Sequence, residues 1–125
     1  MRNLKYLLGI DLGTSGTKTV LFEETGRAVA SETIEYPLYQ PKNGWAEQEP
    51  EDWWNAARDT VKAVMTKSGV APEDVKGVGI SGQMHGLVLL DREGRVLRRS
   101  ILWCDGRTQE ECDEITETIG RERLI

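Results

Sequence analysis

The stretch Gly9-Ile10-Asp11-Leu12-Gly13-Thr14-Ser15-Gly16-Thr17-Lys18 constrains the fold more than any other part of this chain. Glycine loses the most backbone freedom on ordering, and Ser and Thr compete with a helix for backbone hydrogen bonds, so a helix here is disfavoured. The apolar run Tyr6-Leu7-Leu8 leads into the stretch, and Thr17 to Phe22 alternates behind it. The pattern predicts strands over 6–11 and 17–22 joined by a tight glycine turn. Glu24-Thr25-Gly26 reads as a second turn and Ala28 to Tyr36 as a third strand, which makes the opening an antiparallel meander.

Residues 37–49 contain Pro37, Pro41 and the pair Asn43-Gly44, the composition of a long surface loop. From Glu51 to Lys67 the apolar residues Trp53, Trp54, Ala57, Val61, Val64 and Met65 fall at helical spacing. Pro50 suits the first turn, Ser68-Gly69 suits the stop, and both tryptophans are expected in the core. Val75 to Ser81 reads as a buried strand and Leu87 to Asp91 as the strand that pairs with it after a short gap. Asp91 to Gly94 forms a hairpin turn, Val96 to Leu102 returns, and a polar helix runs from Arg107 to Ile119, ending at Gly120. The order βββ, α, ββ, α specifies an α/β or α+β layer with both strand directions. No repeat, low-complexity tract or linker divides the chain.

Lys plus Arg number 16 and Asp plus Glu 21, for a formal charge of −5, with no long block of like charge. Nucleic acid and anionic membranes are therefore not expected partners. Asp11 interrupts the first apolar run too early for a signal peptide or a membrane span, which gives the expectation of a cytoplasmic protein. Cys104 and Cys112, with His85 as the single histidine, supply neither a zinc ligand set nor a disulfide framework.

The chemistry concentrates in three places. Asp11 lies at the end of a strand expected to be buried, where an ionised carboxylate needs a cation or several donors to offset desolvation. Gly13 to Lys18 adds glycines, hydroxyls and an ammonium, a donor set suited to phosphate oxygens and hydrated Mg²⁺. The same residues also suit a plain hairpin turn with a capped Asp. The spacing is not that of a Walker A loop, since Gly13 and Gly16 have two residues between them. Gly77 to Gly82 matches G-x-G-x-x-G but overlaps a strand pattern and runs into another, so its glycines fit close backbone packing rather than a dinucleotide turn. His85, within Ser81-Gly82-Gln83-Met84-His85-Gly86, is either a satisfied structural residue or part of a site. Trp103-Cys104-Asp105-Gly106-Arg107 sets an indole, a carboxylate and a guanidinium together, with an Asp helix cap as the structural alternative.

Four segments, 9–18, Gly44 to Trp54, Ser81 to Gly86 and Ile101 to Cys112, together resemble the FGGY family of carbohydrate kinases, and within it the xylulose kinases. The resemblance spans nearly the whole chain and implies an actin-like, ribonuclease H-like ATPase fold, of which 1–125 would be the opening part of the first domain, still incomplete. It implies ATP and Mg²⁺ as cofactors, with Asp11 organising the metal and Gly13, Thr14, Ser15, Gly16, Thr17 and Lys18 approaching the phosphates. Met84, His85, Trp103 and Asp105 would line a pocket for a small sugar. Glycerol kinases of the family carry Arg-Glu where this chain has Met84-His85, which favours a ketopentose, D-xylulose. Xylulose kinases often carry Asn where Cys104 stands, and a thiol cannot supply an amide's paired donor and acceptor. The family's carboxylate base and adenine pocket lie beyond these residues. The resemblance therefore implies a piece that is inactive alone and prone to self-association through unpaired sheet edges.

Overall fold

The computed structural model describes residues 3–125. Strands β1 (Tyr6–Leu12), β2 (Gly16–Glu23) and β3 (Ala28–Glu35) form the expected antiparallel meander. Helix α1 (Pro50–Ser68) then crosses to β5 (Val75–Gly82), which pairs parallel to β1, giving a four-stranded sheet of order β3-β2-β1-β5. A second, two-stranded sheet joins β4 (Glu47–Gln48) to β6 (Ser100–Ile101). Helices α2 (Gln109–Ile119) and α3 (Arg121–Leu124) close the chain.

Helix α1 starts at Pro50, whose missing N–H costs nothing in a first turn, and stops at Gly69, whose φ of 65° is the left-handed conformation that glycine adopts without strain. One face of the sheet lies under this helix. Leu8, Leu21 and Val64 form the buried cluster, flanked by Tyr6, Ile10, Ala30, Val61, Met65, Val70 and Val75. Thr19 and Thr60 share a 2.7 Å hydrogen bond inside it, so two hydroxyls are buried without an unmet donor. The opposite face carries Leu7, Gly9 and Asp11 of β1, flanked by Phe22, Val20 and Lys18 of β2 and by Gly77, Gly79 and Ser81 of β5.

Several expectations change. Trp54 is 66% exposed and Trp53 only half-buried; of the predicted stripe Val64 is buried with Val61 and Met65 packed beside it, and Ala56 and Thr60 take the buried places nearer the start of the helix. Val75 to Ser81 is a strand but not a buried one: it is the sheet edge, α1 lies over β1 to β3, and Val78 and Ile80 face solvent. The segments 87–91 and 96–102 do not form a regular hairpin. They meet through the single bridges Leu87 to Ile101 and Leu90 to Val96, while β6 pairs with β4, and β5 pairs with β1 rather than with 87–91. Apart from Leu102, which is buried, most of their apolar side chains remain exposed. The loop 37–49 runs over the surface only as far as Trp45; Ala46, Glu47 and Gln48 are buried because Glu47 and Gln48 find charged and amide partners inside. Asp11 is exposed rather than buried, being on the face that α1 does not cover.

The glycines of the opening loop serve close approach rather than a left-handed turn. A Cβ on Gly16 would meet the Ile34 carbonyl oxygen at 2.7 Å and the Glu35 Cα at 3.1 Å, both backbone atoms of β3. Gly16→Ala is expected to lower stability by about 1–3 kcal/mol through backbone displacement. At Gly9 the nearest atom to an added Cβ is Phe22 Cε2 at 3.7 Å, so Gly9→Ala should cost less than about 1 kcal/mol. Urea unfolding of both variants checks the difference.

Candidate functional site

The β1–β2 turn is held from beneath. Gly13 N–H donates to the Gly16 carbonyl at 2.9 Å, and the Tyr36 hydroxyl donates to the Gly13 carbonyl. Burial pushes the Tyr36 phenol up from its ordinary value, which keeps it protonated as that donor. Its single proton is thereby used, so the Thr17 hydroxyl donates to the Tyr36 oxygen at 3.3 Å. Thr17 is fully buried on the α1 side and does not face the loop's concavity, a correction to its assignment among phosphate-facing residues: the alternation of β2 turns it inward while Lys18 turns outward.

Two neighbouring concavities contain most of the remaining candidates. The first, about 430 Å³, is lined by Gly13, Thr14, Gln83, Met84, His85 and Trp103. The turn expected to meet phosphate and three residues expected to meet sugar thus share one surface. The second, about 470 Å³, lies on the open sheet face and includes Asp11, Lys18, Gly9, Gly79 and Ser81. Register explains this grouping, because Asp11 sits opposite Lys18 on β2 and opposite Ser81 on β5. His85 is the only non-glycine residue with positive φ among those described, at 66°, so the wall carrying it is strained.

Asp105 does not line either concavity. Its carboxylate accepts from the Ala46 N–H at 2.7 Å, from the Arg107 N–H at 2.9 Å and from the Arg107 guanidinium at 2.7 Å, leaving its side chain 2% exposed. Arg107 also donates to Glu47 at 2.7 Å, and Arg98 donates to the same carboxylate oxygen at 2.7 Å. The guanidinium of Arg107 stacks 3.7 Å from the Trp45 ring centroid. The family resemblance implies a pocket position for Asp105; the structure makes it a buried anchor, since Arg107, two residues on, folds back over it.

The hydrogen bond from Arg107, opposed by burial, holds the Asp105 carboxyl far below the usual carboxylate range, and the Ala46 N–H adds to this. Arg107 likewise lowers Glu47, with help from Arg98, and Arg107 itself is raised by Asp105.

Three residues that the sequence reading did not single out complete the geometry. Gln48 is fully buried; its Nε2 donates to the Thr14 carbonyl at 2.6 Å, and its Oε1 accepts from Trp53 Nε1 and from Gln83 Nε2, both at 3.0 Å. The Thr14 hydroxyl donates to Gln83 Oε1 and accepts from Trp103 Nε1, each at 3.3 Å. Gln48 and Gln83 lie inside the segments already noted, but a lone Gln gives no periodic or charge signal. Tyr36, at the end of β3, was legible only as a strand residue. Cys104 and Cys112 are free and exposed. No helix among the described residues is long and apolar enough to cross a membrane.

The N-terminal domain model of the FGGY family of carbohydrate kinases matches residues 6–125. A xylulose kinase of Bacillus subtilis is 46% identical over 117 residues, 94% of this chain and 23% of its own length. The crystal structure of xylulose kinase from Rhodospirillum rubrum superposes with a TM-score of 0.88 at 32% identity, covering 95% of this chain and 24% of that one. That of a gluconate kinase from Lactobacillus acidophilus gives 0.86 at 31% identity, covering 97% and 24%. The β3-β2-β1-β5 sheet and its crossing helix are therefore part of an actin-like ATPase domain. The chain belongs to the FGGY family of carbohydrate kinases. It spans about a quarter of the length of the curated relatives it matches.

The buried ionic cluster generates a pH prediction. Carboxyls lowered in the folded state contribute stability that is fully present above their unfolded values, about 3.9 for Asp and 4.3 for Glu, and lost as pH falls through the lowered folded values. Arg107→Leu leaves Asp105 and Glu47 without their guanidinium, so its melting temperature should fall clearly below wild type at neutral pH. The gap should narrow below about pH 4, where the stranded carboxyls take up protons. Thermal melts of both proteins across pH 3 to 8 test this, and a gap that widens in acid contradicts it.

Proposed function

We propose that this chain is the opening part of the first domain of an ATP-dependent kinase that transfers the γ-phosphate to a terminal hydroxyl of D-xylulose, giving D-xylulose 5-phosphate. The observation that carries the reading is the shared concavity in which Gly13 and Thr14 meet Met84, His85 and Trp103. Phosphoryl transfer depends on placing a phosphate donor and a hydroxyl acceptor side by side, and little covalent chemistry is asked of the protein. In this reading the Thr14 N–H, Ser15 at the turn and Lys18 on the open face present donors to phosphate, the Thr14 hydroxyl proton being held by Gln83. Trp103 offers an indole face, and Met84 with His85 offers a less charged wall than an Arg-Glu pair, suiting a ketose more than glycerol.

Mg²⁺ takes octahedral oxygen coordination, keeps several waters, and uses one or two carboxylates plus substrate phosphates. Asp11, exposed at the open face beside Lys18 and Ser81, fits that requirement as a single carboxylate. Among the described residues no group of three His, Cys, Asp or Glu could hold a metal unaided, which also accords with a shared phosphate site. When bound, the ion supplies positive charge to the phosphoryl oxygens. Asp105 does not serve as the base, because its carboxylate is committed to Arg107 and Ala46. The base, the adenine pocket and the rest of the acceptor site are assigned to the remainder of the kinase, acting in the cytoplasm. The 125-residue chain alone is expected to be inactive and to self-associate through its apolar β5 edge.

A kinase of the same family for another sugar acid or polyol is the second reading, favoured by the near-equal superposition of a gluconate kinase. ADP release by the complete kinase that carries this chain, with Mg-ATP and D-xylulose, gluconate or glycerol, separates the two. Turnover restricted to D-xylulose is expected; preference for another acceptor overturns the substrate assignment but leaves a kinase. Asp11→Asn should lower kcat at least about 10²-fold while leaving sugar binding within about 3-fold, and a variant with wild-type kcat refutes the metal role.

A further inference from the structure

Thr14, Gln48 and Gln83 close a ring of hydrogen bonds. Gln48 donates to the Thr14 carbonyl, the Thr14 hydroxyl donates to Gln83 Oε1, and Gln83 donates back to Gln48 Oε1. Two indoles feed it from either side, Trp53 into Gln48 and Trp103 into the Thr14 hydroxyl. We propose that this ring couples the two halves of the site, with Gln48 and Gln83 as positioning residues, so that occupancy of the turn at Thr14 tightens the wall formed by Met84, His85 and Trp103. The inference rests on the carbohydrate-kinase reading and names how that site is organised.

The geometry supports the coupling in three ways. Gln48 is immobile, since it is fully buried, its Oε1 accepts two N–H groups, and its Nε2 donates at 2.6 Å. The bonds that meet the Thr14 hydroxyl are the long ones, both 3.3 Å, so they are where the ring can shorten. Thr14 belongs to the turn itself, and Gln83 and Trp103 belong to the wall that carries Met84 and His85. A ligand that fixes Thr14 therefore also fixes the residues that hold Trp103 and the 83–85 segment, and the ordering is paid once for both ligands.

By linkage the effect must be reciprocal: a nucleotide that strengthens sugar binding is itself bound more tightly by the same factor when sugar is present. Calorimetric titration of the complete kinase measures D-xylulose binding with and without a non-hydrolysable ATP analogue and Mg²⁺. Wild type should show an enhancement of about 5-fold or more. Gln83→Met removes one member of the ring at a half-buried position, and Gln48→Met removes its hub. Each should bring the enhancement to within about 2-fold of unity, whatever it does to either affinity alone. Gln48→Met strands the Trp53 indole and the Thr14 carbonyl and can fail to fold, in which case Gln83→Met decides. Wild-type-sized enhancement in folded Gln83→Met makes the ring purely structural and overturns the proposal. A wild type that turns over sugar with no enhancement also overturns it while the kinase reading stands. A wild type that neither binds nor phosphorylates any sugar in the panel removes both.

Discussion

The buried amide of Gln48 is the contact on which the arrangement of this site depends. It lies in two-residue strand β4, which by itself has almost no reason to be ordered, yet it is fully buried and satisfied on both its oxygen and its nitrogen. An amide buried without partners would cost more than most single packing defects, so its hydrogen bonds fix where the neighbouring segments go. The bonds reach Thr14 on the β1–β2 turn, Gln83 after β5, and Trp53 on α1. Three stretches far apart in sequence, around Thr14, Gln48 to Trp53, and Gln83, are thereby registered against one another, which the main sheet alone, with its pairings all between β1, β2, β3 and β5, does not do for the segment around residue 48.

The second registering device is ionic and differs in character. Asp105, Glu47 and Arg107 are nearly excluded from water, and the carboxylates are held charged by a guanidinium that also stacks on Trp45. Such a cluster adds less net stability than its bonds imply, because each charge loses hydration, but a wrong pairing leaves a buried charge uncompensated. It therefore selects one position for the 44–49 segment relative to 105–107. Trp103 depends on both devices: its backbone leads into the ionic cluster, and its indole reaches the amide ring.

Much of this was legible in the sequence where the signal is periodic or local. The meander, the turn at 13–16, helix α1 with its Pro start and Gly stop, and a strand over 75–81 follow from alternation, glycine and proline positions, and helical spacing, whereas the parallel pairing of that strand with β1 does not. From three of the four segments that resemble the FGGY kinases, Gly13, Thr14, Met84, His85 and Trp103 line one concavity. What was not legible depends on partners distant in sequence. Trp54 fits the helical stripe as well as Val64 does, and only the angle at which α1 meets the sheet decides that one is exposed and the other buried. Asp105 looks like a site carboxylate until Arg107 is seen folded over it. Val75 to Ser81 has the composition of a buried strand although α1 reaches only β1 to β3, so composition reported its apolar character and not its cover.

The same distinction explains why the wall around His85 is strained rather than relaxed. A histidine at φ 66° costs on the order of 1 kcal/mol and persists only where its neighbours over-determine it. On one side Gln83 N–H is bonded to the Leu12 carbonyl at 2.9 Å, and Gly82 leaves so little space that a Cβ would meet that same oxygen at 2.9 Å. On the other, Leu87 N–H bonds to the Ile101 carbonyl, and an added Cβ on Gly86 would meet Ser100 Oγ at 3.2 Å. Three residues, Met84, His85 and Gly86, must span two fixed points, one packed too closely for a side chain at Gly82 and the other tight against Ser100 at Gly86. The left-handed turn at His85 is the solution to that span, and it turns the wall back on itself beside Thr14. Ser100 Oγ, fully buried and without a hydrogen-bond partner among the described residues, sits beneath this bend. The strain and the unmet hydroxyl thus occur together, next to the surface where the chain's candidate ligand contacts converge. A fold that were optimised for stability alone would relieve both.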